Sequence, residues 1–223
     1  MHDHPLQNAE AAALRPKPLD GAESGGLNFP RVYDLMLRIL TRGRERQYRD
    51  DLLDLAGVKP GLRVLDIGCG TGTQAIASDR RAKPGGSVVG VDVSAKMLDV
   101  ARRKARRANA DIAFQQADAA RLPFEDGHFD IVTITTVMHM LPPGQRQPCL
   151  DEAARVLKCG GRLLLIDYAG HVDERSHWAA KHGRHGLFDL HGLRAALFDA
   201  GFAEIEGGPL AWLSLHFLRA TKI

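Results

Sequence analysis

Ten residues, Val64-Leu65-Asp66-Ile67-Gly68-Cys69-Gly70-Thr71-Gly72-Thr73, place three glycines between an apolar run and a polar one. Glycines after a strand let the backbone approach a ligand closely, and the helix that follows offers free N–H groups. The spacing is GxGxG. Thr73 stands where a dinucleotide-binding GxGxxG would carry its third glycine. A pyrophosphate wants a helix N-terminus presented directly, whereas this flatter turn can pass under an uncharged nucleoside. Asp66, just before the loop, would repel a pyrophosphate and suits an ammonium group or a loop-bracing hydrogen bond. Asp92, 20 residues past Gly72, stands where an acid can accept both ribose hydroxyls. Asp118, in Gln116-Ala117-Asp118-Ala119, can accept an adenine amino group while the Ala119 N–H donates to the ring. Each residue has a plainer reading: a tight turn, a helix-capping Asp, a turn Asp. Their order along one chain is what points to a nucleoside-bearing ligand.

Such residues converge only if alternating elements carry them. Arg63–Ile67, Ser87–Asp92, Ile112–Gln116 and Phe129–Thr136 read as strands, and Arg162–Asp167 as a fifth. Helices are expected near Arg44–Ala56, over Thr73–Arg81, from a Ser94 cap to Ala108, and from Pro148 to Lys158, where Gly160-Gly161 ends the last. Tyr33–Leu40 reads as a further short helix, interrupted by Gly43. This alternation predicts a parallel sheet covered on both faces, an α/β Rossmann-like three-layer sandwich. The end differs. After a helix capped by Asp189, Phe202–Glu206 and Trp212–Ala220 read as strands joined by Gly207-Gly208-Pro209. So short a link requires an antiparallel pair, since parallel strands need a long crossover. The sheet is therefore expected to have seven strands and to be mostly parallel.

The whole chain is 223 residues with a formal charge of +3. Arg102, Arg103, Lys104, Arg106 and Arg107 supply five positive charges in six positions, and subtracting them from +3 leaves the rest at −2. That distribution argues against a nucleic-acid face, which needs many spread phosphate contacts. The run itself reads as a solvated helix face, with an anionic surface as the alternative. Cys69, Cys149 and Cys159 include no CxxC and suit a reducing compartment. With no apolar run of membrane-spanning length and no signal-peptide pattern, the cytoplasm is the expected location. Residues 1–28, rich in Pro and Gly, read as a flexible lead, and 29–223 as one domain.

The motifs resemble those of the class I S-adenosylmethionine (SAM)-dependent methyltransferases. VLDIGCGTG (64–72), VVGVDVS (88–94), QQADAARLPFEDGHFDIV (115–132) and LKCGGRLLLID (157–167) follow that family's order and spacing. The resemblance implies strand order 3-2-1-4-5-7-6 with strand 7 antiparallel. It implies SAM as cofactor, held by Asp66, Gly68, Gly70, Asp92, Asp118 and Ala119, with Met97 packing on the adenine. Cys69, Val93 and Thr135 are grouped with these by position; the Cys69 thiol itself reads as a small buried filler. Tyr33-Asp34-Leu35-Met36 and Gly57-Val58-Lys59-Pro60-Gly61 look more narrowly like the ubiquinone/menaquinone-type C-methyltransferases.

Methyl transfer from a sulfonium is an in-line displacement, so the protein mainly aligns groups and excludes water. A general base is needed only if the acceptor carries a proton on its nucleophile. His139, His171 and Tyr33 are the candidate catalytic or acceptor-side residues, with Thr136, Asp167 and Tyr168 at neighbouring strand ends. Seven of the ten histidines fall from His139 onward. His182 and His185 have metal-like spacing, but Gly183 and Gly186 oppose a rigid helix there, so no metal is expected. A lid over the acceptor in 171–191 is one reading and a surface loop another. The function expected is methyl transfer to an O, N or C atom of a small molecule. A quinone C-methyltransferase, a lipid N-methyltransferase, a non-catalytic SAM-binding protein and a NAD-dependent oxidoreductase are the alternatives.

Overall fold

A computed structural model describes residues 39, 41–168, 190–212 and 215–223. The lead, Tyr33, His171 and most of the histidine-rich segment lie outside the described residues. Seven strands form one sheet in the order β3-β2-β1-β4-β5-β7-β6. In chain order these are β1 (Arg63–Ile67), β2 (Ser87–Asp92), β3 (Ile112–Gln116), β4 (Phe129–Thr135), β5 (Leu157–Tyr168), β6 (Phe202–Pro209) and β7 (Leu215–Lys222). Strands β1 to β5 run parallel, and β7 pairs antiparallel with both β5 and β6. Both the topology and the antiparallel ending agree with expectation.

The helices are α1 (Glu45–Ala56), α2 (Thr73–Ala82), α3 (Ala95–Arg107), α4 (Pro143–Val156) and α5 (Leu190–Asp199). They sort by which face of the central strands they cover. Leu65, Ile67, Val132, Ile134, Leu163 and Leu165 point to the α4/α5 core. Val64, Ile131, Leu164 and Ile166 point to the other, with Tyr48, Leu52 and Leu53 of α1 and Ala75 of α2. This two-sided burial makes the strands read as near-continuous apolar runs. Local signals behave as their chemistry requires. Gly57 ends α1 in the left-handed region at φ 71°. The Ser94 hydroxyl accepts the Met97 N–H at the start of α3.

Two boundaries differ from the sequence reading. Pro148 lies inside α4, which begins at Pro143 instead. The carbonyl that Pro148 leaves without a helical donor belongs to Gly144, which is exposed to water. The helix stops at Val156, and Gly160-Gly161 belong to β5 rather than ending the helix. From Phe129↔Leu157 to Ile131↔Arg162, β4 advances two residues and β5 five, so Lys158–Gly161 forms a bulge. Likewise Gly207, Gly208 and Pro209 are not a link but the end of β6. A Cβ on Gly207 would overlap Leu218 and the Phe217 carbonyl, so this glycine serves close strand approach.

Candidate functional site

The carboxyl ends of β1 to β5 lie along one edge of the sheet, and every described candidate residue lies there. At β1, Gly68, Gly70 and Gly72 hold φ of 68°, 53° and 76°. A Cβ on Gly68 would overlap Val137, and one on Gly72 would meet Ala101 at 2.8 Å. A Cβ on Gly70 would meet nothing within 4 Å, so this glycine leaves open room above the loop. The Cys69 N–H donates to the Val91 carbonyl at 2.9 Å, tying the loop to β2. The Cys69 side chain is buried, and burial, then the Asp66 and Asp92 charges, push its thiol well above the ordinary range. Its buried thiol is thus held in the neutral form.

Asp92 closes β2 beneath this loop. Its Oδ2 accepts the Gly70 N–H at 2.9 Å and its Oδ1 the Ser94 N–H at 2.8 Å. Burial raises its pKa against those two N–H groups. Each oxygen keeps a second lone pair, enough for two hydroxyls. Val93 beside it is exposed, and Met97 is half-buried. Past β3, Asp118 Oδ1 accepts the Ala120 N–H at 2.9 Å in a tight turn that sets the buried Ala119. The Ala117 N–H bonds the Asp92 carbonyl at 3.2 Å, joining the two acids' segments. From α4, Arg155 grips the rest of this loop through the carbonyls of Leu122 (2.9 Å) and Phe124 (2.7 Å).

Asp66 is the most unusual group. It is 2 % exposed, and its Oδ1 accepts the Thr133 hydroxyl at 2.8 Å. Its Oδ2 is buried with no hydrogen-bond partner among the described residues. Burial raises its pKa to about 6, opposed by the Thr133 hydrogen bond and the Arg49 charge. Arg49 is itself 6 % exposed, bonded to Gln74 at 3.3 Å, and its Nε has no partner either. Sequence reading missed Arg49. The signal was available: Arg49, Leu53 and Ala56 fall at i, i+4, i+7, on the stripe that α1 buries.

On the acceptor side, Thr135 ends β4 and its carbonyl accepts the Thr136 hydroxyl at 2.7 Å. His139 follows in a short 3-10 turn, Met138–Met140. Its Nδ1 stands 2.6 Å from Asp167 Oδ1 at the end of β5, and its N–H donates to Asp167 Oδ2 at 3.1 Å. Sequence reading found these residues separately but not as a pair. It also read the basic run as a solvated face. Arg103, Arg106 and Arg107 are exposed as expected, but Lys104 turns inward to the hydroxyls of Thr71 (3.1 Å) and Thr73 (2.5 Å), and Arg102 to the Phe114 carbonyl (3.0 Å). No metal-ligating cluster occurs among the described residues. No helix there is long and apolar enough to cross a membrane.

Residues 64–161 match the family model for a methyltransferase domain, and they contain every cofactor-side residue named above. That stretch is similar to methyltransferase domains. The chain is 41% identical over 136 residues to the demethylmenaquinone methyltransferase of Thermus thermophilus, covering 61% of this chain and 60% of that protein. It is 40% identical over 139 residues to the ubiquinone/menaquinone biosynthesis C-methyltransferase UbiE of Pseudomonas putida, covering 61% and 54%. The chain thus spans little more than half the length of these relatives. The fold is shared with a SAM-dependent methyltransferase from Aquifex aeolicus at a TM-score of 0.64 and 21% identity, covering 78% of this chain and 89% of that one.

Proposed function

We propose that this protein binds SAM along the β1–β3 edge and transfers its methyl group to a small-molecule acceptor seated near β4 and β5. The observation that carries the reading is Asp66 Oδ2, buried and without a partner of hydrogen-bond geometry among the described residues, the Ala75 N–H acting on the carboxylate only weakly. A buried carboxylate oxygen with no donor is costly unless something else supplies one, and an amino-acid ammonium does so. The open space over Gly70 and the free lone pairs of Asp92 fit the rest of a nucleoside-linked amino acid. Arg49, whose charge acts on Asp66 and whose Nε lacks a partner among the described residues, suits the companion carboxylate, although its Nη2 also pairs with Glu45 at 3.8 Å. The turn at Asp118 and Ala119 offers one acceptor and one donor to an adenine edge.

SAM supplies an electrophilic methyl on a good leaving group when bound. What the chain's residues contribute is alignment: Asp66 and Arg49 at the amino-acid end, Asp92 at the ribose, Asp118 at the base. Met97 and Val93 shield the adenosine from water. His139 stands on the next strand end, where an acceptor must lie. Tyr33 and His171 belong to the same proposal as closing or acceptor-side residues.

Calorimetry with SAM, S-adenosylhomocysteine and NADH tests this. Heat from the first two is expected; tight NADH binding without SAM heat would sink the proposal. A second reading, an acceptor of quinol type, is favoured by the 40–41% identity to the quinone-pathway relatives. Incubation with methyl-labelled SAM and a lipid extract, then identification of the labelled product, separates it from other acceptors.

A further inference from the structure

Asp167 and His139 meet from adjacent strand ends, 28 residues apart in sequence. We propose that Asp167 is a positioning residue that fixes the His139 proton on Nδ1, leaving Nε2 to take a proton from a phenolic or enolic hydroxyl acceptor. The inference rests on the methyl-transfer reading above and narrows its substrate class.

The geometry carries it. Asp167 is 3 % exposed and accepts three bonds: from the Tyr168 N–H at 2.8 Å, the His139 N–H at 3.1 Å and the His139 ring at 2.6 Å. A carboxylate only accepts, so the ring proton in that bond lies on Nδ1. Ring and peptide of one residue are thus both pinned to one carboxylate, which is more than packing requires. The Tyr168 ring meets the imidazole edge to face at 5.4 Å. The His139 side chain remains 22 % exposed, and Nε2 makes no hydrogen bond among the described residues. The segment also abuts the glycine loop, because Val137 fills the space that a Gly68 side chain would need.

That arrangement selects an acceptor. An alkylammonium has no lone pair on nitrogen until its proton has left, so deprotonation precedes attack and needs no base held in line with the transfer. A phenol, with an ordinary pKa of about 10, binds neutral and keeps lone pairs on its oxygen, so a ring nitrogen can take its proton as the new bond forms. A fixed imidazole therefore matters most for a hydroxyl. In the step, Nε2 gains the hydroxyl proton and the O–H electron pair stays on the acceptor. The acceptor oxygen, or its conjugated carbon, bonds to the methyl carbon as the C–S bond breaks with its pair left on sulfur. The imidazolium then releases the proton to water; for carbon methylation the ring hydrogen leaves afterwards as a proton and the oxygen takes one back. One proton is released per methyl transferred.

The test uses the full chain with 15N-labelled histidine. Long-range 1H–15N spectra at pH 8, assigned with His139→Gln, should show His139 protonated at Nδ1 and bare at Nε2, and Asp167→Asn should move the proton to Nε2. In parallel, methyl-labelled SAM is incubated with catechol, hydroquinone, 4-nitrophenol and phenethylamine. Label is expected in a phenol, falling about 100-fold or more in His139→Gln while SAM affinity stays within about twofold. Asp167→Glu should recover part of the loss in Asp167→Asn. The inference is overturned by an Nε2–H tautomer in the wild type, by label entering only the amine or no phenol while SAM binds, or by phenol transfer unaffected in His139→Gln. Should Asp167→Asn not fold, the wild-type tautomer decides. Absence of SAM heat would overturn the methyl-transfer reading itself, a separate failure.

Discussion

Single acids at this site work against the stability of the chain that carries them. The Asp66 carboxyl titrates near 3.8 when unfolded and near 6 when folded. The folded chain therefore holds an extra proton between those values. The stability tied to the neutral form is complete below about pH 4 and is lost as pH rises through 6. Asp66→Asn is expected to stabilise the unliganded protein at pH 8 by about 1–3 kcal/mol, from a shift of roughly two units, with the gain vanishing near pH 4 in urea titrations. The same substitution should abolish SAM binding. In the native chain, a bound ammonium favours ionised Asp66, so SAM affinity should rise from pH 5 to 7 with proton release, read by calorimetry in buffers of different ionisation heat. Asp92→Ala should weaken SAM by about 1.5–3 kcal/mol, the range for hydrogen bonds to a charged group; an unchanged affinity in a folded variant would remove Asp92 from the site. Asp66 and Asp92 stood out in the sequence because each is an acid at the carboxyl end of an apolar strand, Asp92 as its last residue and Asp66 one before the end. Arg49 was legible only as a residue on the buried stripe of α1; its link to Asp66 was not, because Gln74 and Asp66 come from α2 and β1.

At the level of elements, the glycine loop separates what folding needs from what a ligand needs. Gly68→Ala forces a methyl into Val137 at φ 68°. It should cost about 2–4 kcal/mol of stability through overpacking and backbone strain together. Gly70→Ala, at φ 53° with open space, should cost only about 1–2 kcal/mol yet weaken SAM far more than it destabilises the fold. Thermal melts beside binding isotherms tell the two apart; equal effects on both readouts in both variants would refute the division. Strand and helix order was readable because burial on two faces and capping chemistry are local. The wrong start for α4 and the wrong end for β6 share one cause. Pro and Gly were read as punctuation, whereas Gly144 at a solvated turn tolerates Pro148, and Gly207 answers to Leu218 across the sheet. Such contacts with a partner strand leave no mark nearby in sequence. The His139–Asp167 pair was hidden for the same reason.

For the molecule as a whole, ligand binding couples to global stability by mass action. S-adenosylhomocysteine at a hundred times its dissociation constant should add about 2.7 kcal/mol. For a domain of this size that is a rise in Tm of about 5–10 °C. NADH at the same concentration should leave Tm unchanged, and an equal rise with NADH would contradict the site as drawn. The strand order has a further consequence, in the time domain of synthesis. A ribosome delivers β5 before β7, yet β7 is the strand that pairs with it, along seven residues from Arg162↔Thr221 to Tyr168↔Leu215. Until residues 215–222 emerge, the nascent chain presents Leu163–Ile166 on an unpaired edge, an open template for other chains. Strand β7 is thus the guard of the sheet's interior, and products cut short before it should reach the cell's quality-control machinery as sticky half-sheets.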